Sequence, residues 1–330
     1  MSPLLRTLAA LLVVAWCAGC AGGASVPART AVGGGLHGAD VALAANTCWT
    51  SEKAGADPQR VLQISTQYKV SYFDAAHALA AQPAFALTQA CGAEHAIEVY
   101  KVVAMDQVKP KVTNYAALLR SGRPAYRKLA VNVERACMNQ VLLDGARSSG
   151  FAGAVLEPAV PATVTLGWAA PSPEQWAHGQ RVFACTMSQA KPGVLRYPSL
   201  FTRGFPTVSR TCIDSRSLIY VDCARKHDRE RIALLDLRAA VAAGSIPGAR
   251  AVRPGSDGRY VDLPPATFAA LDRGCATYLR HVSTMTRLTG VAEIDPAQWP
   301  TPDGSYLVAC EADTPPTKKS LVTQGSVYNR

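Results

Sequence analysis

Apolar positions along the chain fall into three patterns. The first is one uninterrupted run, residues 7–16, behind a short start carrying Arg6. The second is a helical stripe: from Tyr126, apolar residues recur at Leu129, Val133, Cys137 and Val141, which is one face of an α-helix. Pro124 suits its first turn and Gly145 its C-terminal cap. Phe268, Leu271, Cys275, Tyr278 and Val282 trace the same stripe behind Pro264 and Pro265, so Cys137 and Cys275 both point inward from a helix. The third pattern is short and β-rich, at residues 99–103, 181–183, 219–221 and 306–308. Strands, one main helix and strands again, met twice, predict an α+β fold of two tandem domains, each with a small antiparallel sheet.

The tandem arrangement is also written in the polar residues. Cys91-Gly-Ala-Glu-His95-Ala-Ile-Glu98 aligns with Cys223-Ala-Arg-Lys-His227-Asp-Arg-Glu230; both are C-x3-H-x2-E, 132 residues apart. Pro173-Glu-Gln-Trp176 matches Pro296-Ala-Gln-Trp299, and Gly179 and Gly304 each lie six residues before a cysteine, Cys185 and Cys310. The offset for these later motifs is 123 to 125, and Cys137 and Cys275 are 138 apart. Four ordered matches at nearly one offset mark a duplication. Copy 1 is expected over residues 47–200 and copy 2 over 205–313, joined around Arg203-Gly-Phe-Pro206. Cys48 precedes Cys91 by 43 residues and Cys212 precedes Cys223 by 11, so copy 1 carries an insertion of 32 residues that holds the apolar stretch 75–90, where an added helix is expected. Residues 20–46, rich in Gly, Ala and small polar residues, have the composition of a flexible tether, and residues 314–330 read as a disordered tail.

Ten cysteines change the picture. Two, Cys17 and Cys20, lie at the end of the first apolar run, and eight remain, with no CxxC pair among them, so neither a zinc ribbon nor a thioredoxin-like motif is indicated. The run is too short to span a bilayer and reads as a signal peptide over residues 1–19. Ala18 and Gly19 directly before Cys20 resemble the bacterial lipobox, which makes Cys20 the lipidated first residue of the mature chain; the competing reading is an ordinary signal peptide cut near Ala24. Acyl chains at Cys20 would hold the protein at the outer face of the cytoplasmic membrane. Eight cysteines in an exported chain read as four disulfides. They allow 105 connectivities; assuming that each copy is self-contained, the pairs are Cys48–Cys91, Cys137–Cys185, Cys212–Cys223 and Cys275–Cys310. The formal charge of +10 falls only to +9 without Arg6; it fits anionic lipid headgroups, an acidic wall polymer or an acidic protein partner, and the plainer reading is a solvated basic surface. The charges are scattered and the compartment is wrong for nucleic acid.

The order of these motifs resembles a known family. A leading cysteine, then Val221-Asp-Cys-Ala-Arg-Lys-His-Asp-Arg-Glu230, a helical cysteine, and Pro-x-x-Trp ahead of Gly-x5-Cys is similar to the septum-formation domain of actinobacterial envelope proteins. Ala90-Cys-Gly-Ala-Glu-His-Ala-Ile-Glu98 is a looser version, and the resemblance covers roughly residues 47–190 and 205–313. It implies extracytoplasmic domains on a lipoprotein or single-pass membrane protein and a link with division, and it implies no chemistry.

The same residues admit sharper readings than structural ones. Cys91 with His95, and Cys223 with His227, suggest a Cys-His hydrolase, but a nucleophile must be a free thiolate, and paired cysteines are consumed. Zinc could use Cys, His and Glu, at the cost of a disulfide partner. The structural account makes His95 and His227 imidazoles bonded to Glu98, to Glu230 or to nearby backbone. Trp176 and Trp299 read as core plugs ahead of the turns at Gly179 and Gly304 rather than as ligand platforms. Gly33 to Gly35 lie in the tether and form no phosphate loop, so no cofactor is expected. The expectation is a non-enzymatic binding or scaffolding lipoprotein; the alternative is an envelope enzyme or a zinc-binding domain built on the C-x3-H-x2-E motifs. Cys20→Ala is expected to move the protein from the membrane fraction to the soluble or secreted one, while an intact mass starting near Ser25 without acyl mass would contradict the anchor.

Overall fold

The computed structural model describes residues 41–51, 57–83, 85–202, 206, 209–214, 219–249, 252–253, 260–261, 263–295, 299–301, 304–313, 323–324 and 326–328, all within one compact unit. The signal peptide, Cys20, tether residues 20–40 and most of the expected linker lie outside the described residues. In chain order the elements of copy 1 are β1 (Thr47–Ser51), α1 (Pro58–Tyr68), α2 (Tyr72–Ala81), β2 (Phe85–Gln89), β3 (His95–Ala104), α3 (Ala116–Leu119), α4 (Pro124–Cys137), α5 (Gln140–Ser148), β4 (Val155–Pro158), β5 (Val164–Ala169), α6 (Pro173–Ala177) and β6 (Val182–Gly193). Copy 2 follows with β7 (Thr211–Asp214), β8 (Ile219–Val221), β9 (Lys226–His227), β10 (Arg229–Asp236), α7 (Arg238–Ala242), β11 (Val252–Arg253), β12 (Tyr260–Val261), α8 (Pro265–Val282), β13 (Thr289–Glu293), β14 (Leu307–Asp313) and β15 (Thr323–Gln324). The fold is α+β, with one antiparallel sheet ordered β2-β1-β3-β6-β5 and a second ordered β13-β14-β10-β7-β8.

The two sheets repeat each other residue by residue. Cys48 lies opposite Glu98, and Cys212 opposite Glu230. After a bulge between Val99 and Lys101, Lys101 faces Cys185; after a bulge between Arg231 and Ala233, Ala233 faces Cys310. On the other side Trp168 pairs with Cys185, and Ala292 with Cys310. The main helices α4 and α8 then lie over these sheets, and four disulfides staple the copies internally: Cys48–Cys91, Cys137–Cys185, Cys212–Cys223 and Cys275–Cys310. In an entropy model, the bridges closing loops of 48 and 35 residues each stabilise by roughly 3–4 kcal/mol.

Four expectations are corrected. The stripe from Tyr126 to Val141 is not one helix. α4 stops at Cys137, Met138 turns out of helical geometry, and the side chain of Asn139 accepts from Leu142 N at 3.0 Å to start α5. Gly145 is therefore no cap but a buried position inside α5. The stretch 75–90 is half helix and half strand, broken after α2 and continued as β2 on the edge of β1. Residues 41–46 do not belong to a free tether: Leu43 is buried, and the carbonyls of Val41 and Leu43 accept from the side-chain amides of Gln175 and Gln180. Nor is the tail wholly disordered, because β15 pairs with β9, and Val327 and Tyr328 are buried in the core of copy 2.

The copies are not separate globules. β4, from copy 1, hydrogen-bonds along residues 233–236 of β10, beyond the stretch that β7 covers. α5 lies across α8, and Leu142, Ala146, Val155 and Leu156 share one apolar core with Ile232, Leu271, Tyr278 and Val308. The helices approach closely because glycines meet at the crossing: a Cβ on Gly274 would lie 3.1 Å from Gly145 O and 3.0 Å from Ser149 Cβ. Gly274→Leu is expected to force α5 from α8 and lower stability by about 1–3 kcal/mol, read as a lower urea midpoint. Gly92→Leu, at a position whose Cβ would meet nothing within 4 Å, is the control that should change little; an unchanged midpoint for Gly274→Leu would contradict the crossing.

Candidate functional site

The two C-x3-H-x2-E motifs fold alike. Each begins with a disulfide turn, and the backbone carbonyl two residues before the histidine faces its ring; His95 opens β3, whereas His227 lies in β9, paired with β15. His95 Nδ1 lies 2.9 Å from Ala93 O, and His227 Nδ1 lies 2.8 Å from Arg225 O. Both imidazoles are buried. The glutamates sit beneath the leading cysteines with no exposed surface. Glu98 accepts from Tyr197 N at 2.7 Å and from Arg196 Nε at 2.9 Å. Glu230 accepts from Val327 N at 2.7 Å and from Ser326 Oγ at 2.8 Å, with Arg210 Nε 3.9 Å away. Burial raises the Glu230 carboxyl above its usual range, opposed first by the Val327 amide. Each glutamate thus clamps the backbone of a segment returning after the last strand. In copy 2 the clamped segment ends in Tyr328, whose hydroxyl donates to Ile232 O at 2.8 Å and whose ring lies 3.7 Å from the Arg210 guanidinium carbon.

Cys212, His227 and Glu230 bring ligand atoms within 4.8 Å of one another, a geometry that could hold a metal ion. The donor set does not fit zinc in this state: the Cys212 sulfur is bonded to Cys223, and both Glu230 oxygens already accept hydrogen bonds. The same bonding withdraws Cys91 and Cys223 from nucleophilic chemistry. Trp299 is buried and donates from Nε1 to Ala249 O at 2.7 Å. Trp176 is half-buried, 5.5 Å from the Tyr115 ring and with the Arg181 guanidinium 3.5 Å above it. Gly179 and Gly304 share a left-handed backbone, φ 87° and 81°, which explains glycine at both positions.

A second cluster lies where β4 bridges the copies, and the sequence reading missed it. Arg238 reaches Glu134 on α4 at 2.9 Å and Asp236 on β10 at 2.8 Å. Asp236 also accepts from Arg238 N at 2.8 Å and Tyr306 N at 3.3 Å. The side-chain carboxylate of Glu157 on β4 accepts no hydrogen bond among the described residues. It lines a cavity of about 20 Å3 with Tyr100, Glu134, Trp168 and Tyr197, room for about one water. Tyr100 and Tyr197 stack there with centroids 3.6 Å apart. Desolvation by burial, and then the Glu134 and Asp236 charges, push the Glu157 carboxyl up to about 7, against the pull of Arg238. The one trace of this bridge in the sequence is the fall in repeat offset from 138 to 123, which marks residues present between Cys137 and Trp176 and absent between Cys275 and Trp299.

Compared with protein-family models, with curated proteins and with solved structures, the chain matches none.

The cluster makes stability depend on pH. Glu157 has a folded pKa of about 7 against an ordinary value of 4.5, so between these values the folded protein holds a proton that the unfolded chain has released. Stability from this group is full below about pH 4.5 and is lost as pH rises through 7. Glu157→Gln is expected to be more stable than the parent by ~2–3 kcal/mol at pH 8 and nearly equal at pH 4. Urea midpoints at the two pH values check this, and an equal difference at both would contradict it.

Proposed function

We propose that this chain is an exported envelope protein, anchored by lipid at Cys20 to the outer face of the cytoplasmic membrane, with a non-enzymatic binding or scaffolding role linked to septum formation. The observation that carries the reading is the disulfide framework: all eight cysteines after Cys20 are paired, each within its own copy, which fits an oxidising compartment. Two further observations support it. The motif most suggestive of catalysis spends its sulfur on disulfides and its carboxylates on backbone clamps. The copies are tied by β4 and α5 into one body, which suits the rigid display of a surface. The septation link rests on the family resemblance of residues 221–230 and of the motifs that follow.

An envelope hydrolase is the competing reading, and one observation favours it: Glu157, with its raised pKa, beside two tyrosines. The cavity there has room for about one water. One experiment separates the readings. A functional fluorescent fusion is expected to enrich at division sites, and purified protein to turn over no wall substrate. Uniform distribution with normal septa in a deletion strain would defeat the septation link. Hydrolysis abolished by Glu157→Gln would defeat the non-enzymatic reading.

A further inference from the structure

The insertion in copy 1 leaves apolar side chains in solvent: Phe73 is 83% exposed and Tyr72 42% exposed, their rings 6.2 Å apart at the start of α2. Beside them lies a run of positive charge. Between Asp106 and Glu134 the sequence has no acidic residue, while Lys109, Lys111, Arg120, Arg123, Arg127 and Lys128 are all exposed. The fold joins these residues to the aromatic pair. Arg120 donates to Lys69 O at 3.1 Å, in the turn that precedes Tyr72 and Phe73. α3 packs on α2, Arg123 N donates to Arg120 O, and Arg127 N donates to Arg123 O as α4 begins. Asn132, one turn beyond Lys128, donates to Lys109 O at 2.7 Å and holds the 109–111 loop against α4. Asp74, whose backbone amide donates to Ser71 in the cap of α2, and the exposed Asp106, three residues before Lys109, are carboxylates bordering this run.

We propose that this face of the α2–α3–α4 region docks on an anionic lipid bilayer. Cations supply the attraction to the headgroup layer, roughly fivefold in partition for each residue near the surface. Phe73 buries its apolar ring at the headgroup–acyl boundary, and Tyr72, a ring with a polar hydroxyl, sits at headgroup level. A soluble polyanion would use the cations and leave Phe73 in water, and the aromatic pair therefore points to a bilayer rather than to a wall polymer. The aromatic pair lies in the insertion, which copy 2 lacks, and the surface is independent of the acyl anchor. It would lay copy 1 against the membrane instead of leaving it to swing on a tether.

The test uses the full chain carrying Cys20→Ala, so that failure of the anchor and failure of this surface are distinguishable. Binding is measured by co-sedimentation with phosphatidylglycerol–phosphatidylcholine vesicles and with pure phosphatidylcholine vesicles; the N-terminal apolar run contributes to both and cancels in the ratio. The anionic-to-neutral ratio is expected to exceed about tenfold and to collapse towards one when Arg120, Arg123, Arg127 and Lys128 are changed to Glu. Reversal of four exposed cations elsewhere, Lys191, Arg225, Lys226 and Arg287, changes net charge equally and should keep most of the ratio. Phe73→Ser should weaken vesicle binding several-fold at unchanged charge. Equal loss in the two charge-reversed proteins would overturn the surface. So would an unchanged Phe73→Ser combined with complete displacement by inorganic polyphosphate, which would make it a polymer site.

Discussion

A carboxylate removed from water must find donors nearby, and in each half of this protein a single glutamate sets what those donors are. Glu98 and Glu230 occupy the same place in register, opposite the leading cysteine, and each meets the backbone amide of a chain segment that has already left the sheet. Removing the donors would strand a buried charge, which costs more than the hydrogen bonds contribute. The position of the glutamate therefore dictates that the chain return over the sheet. That return brings Tyr197 and Tyr328 to buried sites, and from them come the stacking on Tyr100 and the hydroxyl contact with Tyr278. The disulfide turn and the histidine–carbonyl contact present the glutamate at the right depth.

What was readable in the sequence was whatever cannot be substituted quietly. Cysteines, the glutamate and the φ-positive glycines keep their spacing, because one displaced residue would break a bridge or a clamp; the α+β class, the repeat and the four bridges follow from them. Elements held by ordinary packing were harder to see. β10 is absent from the expected strands: it opens on Arg229, Glu230 and Arg231, and the two guanidiniums are met by Glu311 across the ladder at 3.7 and 3.4 Å, so the first half of an inner strand carries no apolar alternation. Tyr328 was missed because its neighbours in sequence, Gly325, Ser326, Asn329 and Arg330, give no apolar period, whereas its burial follows from the clamp on Glu230, nearly a hundred residues away. The cluster of Glu134, Glu157, Asp236 and Arg238 joins four elements, α4, β4, β10 and α7, from two copies, and no local pattern encodes such a meeting.

The copies share a plan and have been put to different uses. In copy 1 the sheet face around Trp49, Ile97 and Val99 is apolar and covered by residues 41–43 and Phe85. The positions in copy 2 that match Ile97 and Val99 carry Arg229 and Arg231, paired with Glu311, and Ile213 matches Trp49. Burial raises the Glu311 carboxyl, and the two guanidiniums oppose that rise. One framework of disulfides and clamps thus tolerates opposite solutions for the same face, since the staples hold the register whatever the face contains.

β4 has a consequence for how such a chain can change over generations. A tandem duplication normally leaves either copy free to be lost, because each carries its own fold. Here the second sheet borrows a strand from the first half, and the glycine crossing gives α8 a neighbour that its own half does not supply. Deleting copy 1 would bare the hydrogen-bonding edge of residues 233–236 and the apolar flank of α8 together. Once the α5–β4 arm had settled, the two halves ceased to be spare parts for each other, and inheritance could act on them only as a pair.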